Sequence, residues 1–274
     1  MEGISEKTLA RELSEPYLLS PDAVAFFQTF GYVKLKQVLS ARVLEYYGDT
    51  ITDLVFKLNK LTKPMEERTT YERAFLQVMN LWREDKTAKE FVFSRRLAQI
   101  ATDLLGVKGV RLYHDQALYK ESSGGITPWH ADQFYWPLSS PKTVTVWIPL
   151  QSTSMEMGPL AFAEKSHNVA IGRDLEISDE SEVLMTEQLK QFHLNETPFE
   201  LGEVSFHAGW LFHRAGANQS GSPRKVMTMI YMDEEQMIVE PKNSYQKADW
   251  ETWLASKPIG SKADSELNPV LFSY

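Results

Sequence analysis

The sequence predicts a mainly β fold, a sandwich or barrel of short strands, with helices packed on it from the N-terminal side. Three observations carry this. Apolar residues recur at helical spacing through roughly the first hundred positions, and strand and turn patterns replace them after Gly106. Two later runs, Val144–Ile148 and Lys225–Tyr231, are apolar on both faces, as strands enclosed between layers are. The chain has 274 residues, of which 43% are hydrophobic, and seven tryptophans, enough for a sizeable core and unlike a disordered chain.

The elements follow in order. Ser20-Pro21-Asp22 supplies an N-cap, a proline at the first helical position and an acid in the first turn. Val24, Phe27 and Phe30 continue at near-helical spacing, and Gly31 is placed to end the helix. Tyr32 to Lys36 alternates like a short strand. Ser40 starts a second helix carrying Leu44, Tyr47, Ile51, Leu54 and Val55. One further helix is predicted from about Lys86 to Leu105, with Phe91, Leu97, Ile100 and Leu104 on one face. Val110–Tyr113 and Ala117–Lys120 read as two strands, and Ser122-Ser123-Gly124-Gly125 as a turn. The acidic stretch from Arg173 to Glu187 reads as an insertion on the surface, and the tail after Asp233 as a surface wrap. The expected organisation is one domain over 1–274: helices over about 20–105, a β core over about 107–235 and a tail from 236 to 274.

Composition removes several classes of chemistry. There is no cysteine, so disulfides, iron–sulfur clusters, thiolate zinc sites and cysteine nucleophiles are excluded. Lys and Arg number 29 against 37 Asp and Glu, a net charge of −8, which argues against nucleic acid or an anionic membrane as partner. The charged start from Met1 to Lys7 lacks the apolar core of a signal peptide, and no apolar run approaches a membrane span. A soluble, cytoplasmic protein acting on a small molecule is the expectation, with oligomeric state open.

Any metal must therefore be held by nitrogen and oxygen. Among the six histidines, His130 lies two residues before Asp132 in Thr127-Pro128-Trp129-His130-Ala131-Asp132. Residues i and i+2 of an extended segment project to one side, so this imidazole and carboxylate can reach one ion. A second histidine from a distant strand would complete a two-His, one-carboxylate facial triad with open positions, as non-haem Fe(II) chemistry requires. Taken alone, the tripeptide is better read as a surface turn in which Asp132 accepts a hydrogen bond from His130. His207 and His213 both lie in the Gly- and aromatic-rich stretch from Ser205 to Asn218. Arg224 follows eleven residues after His213, entering a doubly apolar strand. A buried arginine needs an anion, and its planar fork suits a carboxylate; the plainer reading is a solvated residue of the Ser222-Pro223-Arg224-Lys225 loop.

Together, Trp129-His130-x-Asp132 and Phe206-His207-x-Gly209-Trp210-x-x-His213-Arg214-x-Gly216-x-Asn218, followed by Arg224, resemble the phytanoyl-CoA dioxygenase-like family. Val146-Trp147-Ile148-Pro149-Leu150, Gly158-Pro159-Leu160 through Lys165-Ser166-His167, and Asn80-Leu81-Trp82 extend the likeness from about residue 20 to about residue 235. The resemblance implies an oxidoreductase on a double-stranded β-helix (a cupin-like jelly roll), a dioxygenase that uses Fe(II), 2-oxoglutarate and O2. It implies that an unactivated C–H bond is hydroxylated with release of succinate and CO2. His130, Asp132 and His213 would be the iron ligands, and Arg224 would pair with the distal carboxylate of 2-oxoglutarate beside Trp147. Many relatives carry a hydroxyl two positions after the distal histidine. This chain has Ala215 there, and Thr145, Tyr119 and Lys120 are the candidates to replace it. Halogenating relatives lack the carboxylate, so Asp132 favours hydroxylation.

His207 is expected as a pocket residue, and Phe134, Tyr135 and Trp136 are placed to shape the substrate pocket. His114 at a strand end, His167 in a turn and His193 on a helix are expected to be structural, Trp210 and Met227 to be core, and Arg83, Lys86, Arg95 and Arg96 to be a solvated face. Two other readings compete: a jelly-roll metalloprotein that does not use 2-oxoglutarate, such as a cupin-like dioxygenase or isomerase, and a non-catalytic binding module. The first gives an inward Arg224 no anion.

Overall fold

A computed structural model describes residues 6–274; the start of the chain, Met1 to Ser5, lies outside the described residues. The N-terminal part runs α1 (Glu6–Ser14), α2 (Pro21–Phe30), β1 (Tyr32–Leu35), α3 (Ala41–Leu58), α4 (Thr70–Ala74), β2 (Leu76–Met79), α5 (Lys86–Val92) and α6 (Arg95–Leu105). The core strands are β3 (Gly109–Lys120), β4 (Thr127–His130), β5 (Thr143–Pro149) and β6 (Leu160–Ala163), then helix α7 (Asp179–Gln188) and β7 (Leu194–Glu196). The chain finishes with β8 (Val204–Ala208), β9 (His213–Ala215), β10 (Arg224–Asp233), α8 (Ser244–Thr252) and β11 (Val270–Ser273).

The caps work as the residues suggest. Ser20 and Ser40 accept from the backbone N–H of Ala23 and Val43, and Gly31 closes α2 at φ 85°, a left-handed conformation that favours glycine. The single helix expected over 86–105 is two helices. Ser94 interrupts it: its hydroxyl caps α6 at Leu97 N–H and donates to the Leu13 carbonyl, fixing α1 against the break. The basic face is not simply solvated either, since Arg96 donates to the carbonyls of Glu15 and Val38.

Two antiparallel sheets face one another. The larger follows the order β1-β8-β5-β10-β3-β11, with β2 also pairing β3, and the smaller the order β4-β9-β6-β7. Helices α3, α5 and α6 cover the outer face of the large sheet, where Tyr47, Ile51, Phe91, Leu97 and Ile100 share one buried core with Val110, Val146, Phe206 and Met227. Between the sheets lies a second cluster built on Trp147, Leu160, Phe162, Leu211 and Val226. The doubly apolar patterns of β5 and β10 have this cause: each packs helices on one side and the facing sheet on the other.

Three expectations are corrected. The two strands predicted after Gly106 are the single strand β3, whose pairing with β10 shifts register at Ile230/Tyr231. The 173–187 stretch is not a surface excursion only, because α7 packs on β4: Glu182 accepts from the Trp129 backbone N–H at 2.7 Å and pairs with Arg214. Its Met185 is fully buried. The tail is not a surface wrap. Ile238, Leu254 and Ala263 are buried, β11 pairs the edge of β3, and α8 reaches the space between the sheets. Of the two residues expected in the core, Met227 is buried, whereas Trp210 is half-buried with Arg173 over its ring. No helix among the described residues is long and apolar enough to cross a membrane.

Candidate active site

Strands β4 and β9 pair so that His130 lies opposite His213, with ring centroids 4.2 Å apart. β4 is an edge strand of the small sheet, which is where Pro128 is tolerated. Asp132 opens the 3-10 turn Asp132–Tyr135 immediately after β4. One ligand atom from each of His130, Asp132 and His213 lies within 4.8 Å of the others, a spacing suited to one metal ion.

Hydrogen bonds assign each donor a task. The Nδ1 atoms of His130 and His213 sit 2.8 and 3.0 Å from the carbonyls of Pro128 and Leu211. A carbonyl only accepts, so Nδ1 carries the proton in both rings and each Nε2 keeps its lone pair. Those Nε2 atoms lie 3.6 and 3.7 Å from the same oxygen, Asp132 Oδ1. The other oxygen, Oδ2, accepts from the Thr145 hydroxyl at 2.8 Å and faces His207 Nε2 at 3.3 Å. Burial, followed by a neighbouring imidazole, lowers both His130 and His213 to about 4, so both rings are neutral near pH 7. Burial alone would raise Asp132, but His213, His207 and His130 hold its carboxyl below the usual range. The result is two neutral imidazoles and one carboxylate with the outer atoms engaged and the inner three free, a donor set that fits Fe(II). His207 differs from His213 in that its Nδ1 is buried without an acceptor and its Nε2 is spent on Asp132.

Beside this triad a cavity of about 470 Å³ opens between the sheets. Arg224, 1% exposed, lines one end with its guanidinium 5.4 Å from the centre of the Trp147 ring. It donates to the carbonyl of Gly158, its Nε has no acceptor, and no described carboxylate pairs with it. Burial lowers its pKa to about 9, the mark of a cation that lacks its anion. Gly158 can offer that carbonyl because its φ is 67° and a Cβ would lie 2.2 Å from the Gly216 carbonyl oxygen.

The candidate replacements for the hydroxyl missing at Ala215 fall in different places. Tyr119 points to the helix side, where its hydroxyl bonds Thr52, so it is outside the cavity. Lys120 is fully buried beside Arg224, but its ammonium is tied to the carbonyls of Gly125 and Gly216 and to the Thr127 hydroxyl. Thr145 serves Asp132 instead. Sequence reasoning missed Thr127. It lies directly across from Ala215 in the β4–β9 pair and lines the cavity, so it puts a hydroxyl next to the position that lacks one. Only the pairing of distant segments reveals this.

Of the aromatic cluster, Tyr135 and Trp136 line the cavity, whereas Phe134 packs aside against Tyr245. His207 lines it as expected. His114 departs from expectation: it sits within β3, not at a strand end, and lines the cavity with a buried, unpartnered Nδ1. His193 lies in the loop before β7, not on a helix, and pairs with Glu164. His167, in the 3-10 turn Ser166–Asn168, accepts at its carbonyl from Arg173.

Known proteins share the fold. The non-heme alpha ketoglutarate dependent carbocyclase SnoK from nogalamycin biosynthesis superposes with a TM-score of 0.78 at 24% identity, over 94% of this chain and 99% of that one. The epimerase SnoN of the same biosynthesis gives 0.76 at 21%, over 92% and 98%. EctD from S. alaskensis, solved with 2-oxoglutarate and 5-hydroxyectoine, gives 0.67 at 18%, over 85% and 86%. At these identities the likeness shows a shared jelly-roll fold. The family model described as phytanoyl-CoA dioxygenase (PhyH) matches residues 27–226, most of the chain, and this protein belongs to that family.

Proposed function

We propose that the protein is an Fe(II)- and 2-oxoglutarate-dependent dioxygenase that hydroxylates an unactivated C–H bond of a small molecule. The single observation that carries the reading is the pairing of an open His-Asp-His donor set with a buried guanidinium that has no anion, in one cavity. A metalloprotein without 2-oxoglutarate would leave Arg224 uncompensated, at a cost of several kcal/mol.

His130 Nε2, His213 Nε2 and Asp132 Oδ1 would hold the iron, which with 2-oxoglutarate and O2 supplies the oxidising power for C–H cleavage. Every other task belongs to the chain. Thr145 and His207 hold Asp132 Oδ2, so that Oδ1 stays aimed at the metal position. Arg224 binds the distal carboxylate of 2-oxoglutarate, and the Thr127 hydroxyl adds a second bond in place of the one absent at Ala215. Lys120 behind it, lowered to about 6 by burial and by Arg224, holds the Thr127 hydroxyl in place. Trp147 walls the cosubstrate and keeps water from the ion pair. Asp132 would supply the carboxylate ligand that halogenating relatives lack, and this favours hydroxylation. The balance is substrate, 2-oxoglutarate and O2 to hydroxylated substrate, succinate and CO2.

The test is substrate-stimulated succinate release across acyl-CoAs, amino acids, phosphonates and small natural products. Any activity found must vanish in His130→Ala and Asp132→Ala. Full activity in either variant, with iron bound normally, refutes the assignment.

A further inference from the structure

The cavity has a second end that the cosubstrate does not use. Along β10 the cavity-facing residues run from Arg224 to Ile230, six residues or roughly 20 Å. At the Ile230 end the register shift leaves Tyr113 unpaired, so Tyr113 and His114 both project toward the space between the sheets. Tyr113 donates its hydroxyl to Asp249 Oδ2 at 2.9 Å. No other described group bonds that carboxylate, and burial pushes it up to about 7 with only the Tyr113 hydrogen bond opposing. The charged side chains lining the cavity are Asp132, Arg224 and Asp249. Iron matches the first and 2-oxoglutarate the second. Asp249 has no counterpart.

The cavity wall is rich in aromatics, Tyr71, Tyr135, Trp136, Tyr245 and Trp253, and at this end Trp136 packs on Tyr113 and Trp253 on His114 with ring centroids 5.4 Å apart in each pair. π faces around a lone carboxylate attract a cation and give a neutral hydroxyl much less. The place is also within reach of the chemistry. Thr145 beside Asp132, Ile230 and His114 form one row across β5, β10 and β3, two strand spacings or about 10 Å.

From this we infer that the substrate carries an aliphatic amine, whose ammonium rests on Asp249 inside the aromatic end while the rest of the molecule extends over the metal position. The inference builds on the 2-oxoglutarate reading and adds the substrate's chemical class. The unpartnered Nδ1 of His114 offers a further hydrogen-bonding point on the same wall.

The experiment is calorimetric titration of the anaerobic Fe(II)- and 2-oxoglutarate-loaded protein with 4-phenylbutylamine and with 4-phenylbutanol, its uncharged counterpart. The amine should bind at least about tenfold more tightly, and Asp249→Asn, which keeps an acceptor for Tyr113, should abolish the difference. Equal binding of the two, no amine binding at millimolar concentration, or a preference that survives Asp249→Asn overturns the inference. If Asp249→Asn melts early, Tyr113→Phe substitutes for it: the carboxylate loses its competing donor, so the amine preference must persist, and its loss overturns the inference. The visible band that 2-oxoglutarate gives with bound Fe(II) separates the two levels. A band without amine preference sinks the substrate class alone, whereas no band in the wild type sinks the reading beneath it as well.

Discussion

Replacing Arg224 by methionine should move stability and cosubstrate affinity in opposite directions. The side chain is 1% exposed, keeps one bond to the Gly158 carbonyl and leaves Nε without an acceptor. Methionine fills a similar volume and removes a buried charge that has no anion in the apoprotein. An unpaired buried charge costs stability, so its removal should leave the apoprotein unchanged or more stable. With 2-oxoglutarate the sign reverses, because two charge-assisted hydrogen bonds to the distal carboxylate are lost. At about 1.5–2 kcal/mol each, this is about 3–4 kcal/mol, or roughly a 10²–10³-fold rise in Kd. Thermal melting without ligand and calorimetric titration of the Mn(II)-loaded protein with 2-oxoglutarate measure the two sides. An affinity within about twofold of wild type would refute the assignment of Arg224, and a large loss of apoprotein stability would refute the claim that its charge lacks a partner.

The neighbouring residues make further predictions. Thr127→Val removes the hydroxyl opposite Ala215 and should raise the Kd for 2-oxoglutarate about tenfold with melting little changed; an unchanged Kd would return the second anchor to an unidentified group. Thr145→Val frees Asp132 Oδ2 from its hydroxyl donor, and Fe(II) affinity measured against a chelator should fall about tenfold, whereas an unaltered affinity would deny Thr145 an orienting role. Gly158→Ala forces a Cβ to within 2.2 Å of the Gly216 carbonyl oxygen, so cosubstrate affinity should fall although residue 158 offers no side chain to the ligand. Asp115, fully buried, is pushed up to about 7 by desolvation against hydrogen bonds from the Leu81 and Trp82 N–H groups, while an unfolded aspartate ionises near pH 3.9. The folded state thus holds the extra proton between about pH 4 and 7, and its contribution to stability is present at the acid end and lost as pH rises through 7. Urea unfolding should show wild type losing stability relative to Asp115→Asn across that window, by at most about 1.4 kcal/mol per pH unit; parallel profiles would contradict this.

What the sequence revealed and what it concealed have physical causes. His130 and Asp132 are legible as a pair because residues i and i+2 of an extended segment project to one side, which needs no tertiary information, whereas the roles expected of His213 and Arg224 come from the resemblance of their stretch to the family pattern. The Thr127 hydroxyl proposed as second anchor was not legible, because it depends on which residue faces Ala215 across β4–β9, and register between distant segments leaves no local trace. Tyr119 and Lys120 are adjacent and so fall on opposite faces, one among the helices and one beside Arg224. His114 was misread because the register shift in β3 breaks the alternation that places side chains. The α7 stretch and the tail looked like surface since their apolar residues are sparse. α7 is held through Glu182 to the ligand strands, and α8 contributes Tyr245 and Asp249 to the cavity through a few well-placed side chains, with no amphipathic stripe.

The central claim is that one cavity holds Fe(II) on His130, Asp132 and His213 and 2-oxoglutarate on Arg224. Anaerobic titration of the Fe(II)-loaded protein with 2-oxoglutarate tests it most directly. The account predicts a weak visible absorption band in the green that saturates with one cosubstrate per protein, is absent in His213→Ala, and needs far more 2-oxoglutarate in Arg224→Met. Iron bound at full occupancy with no band in the wild type at any 2-oxoglutarate concentration would contradict it.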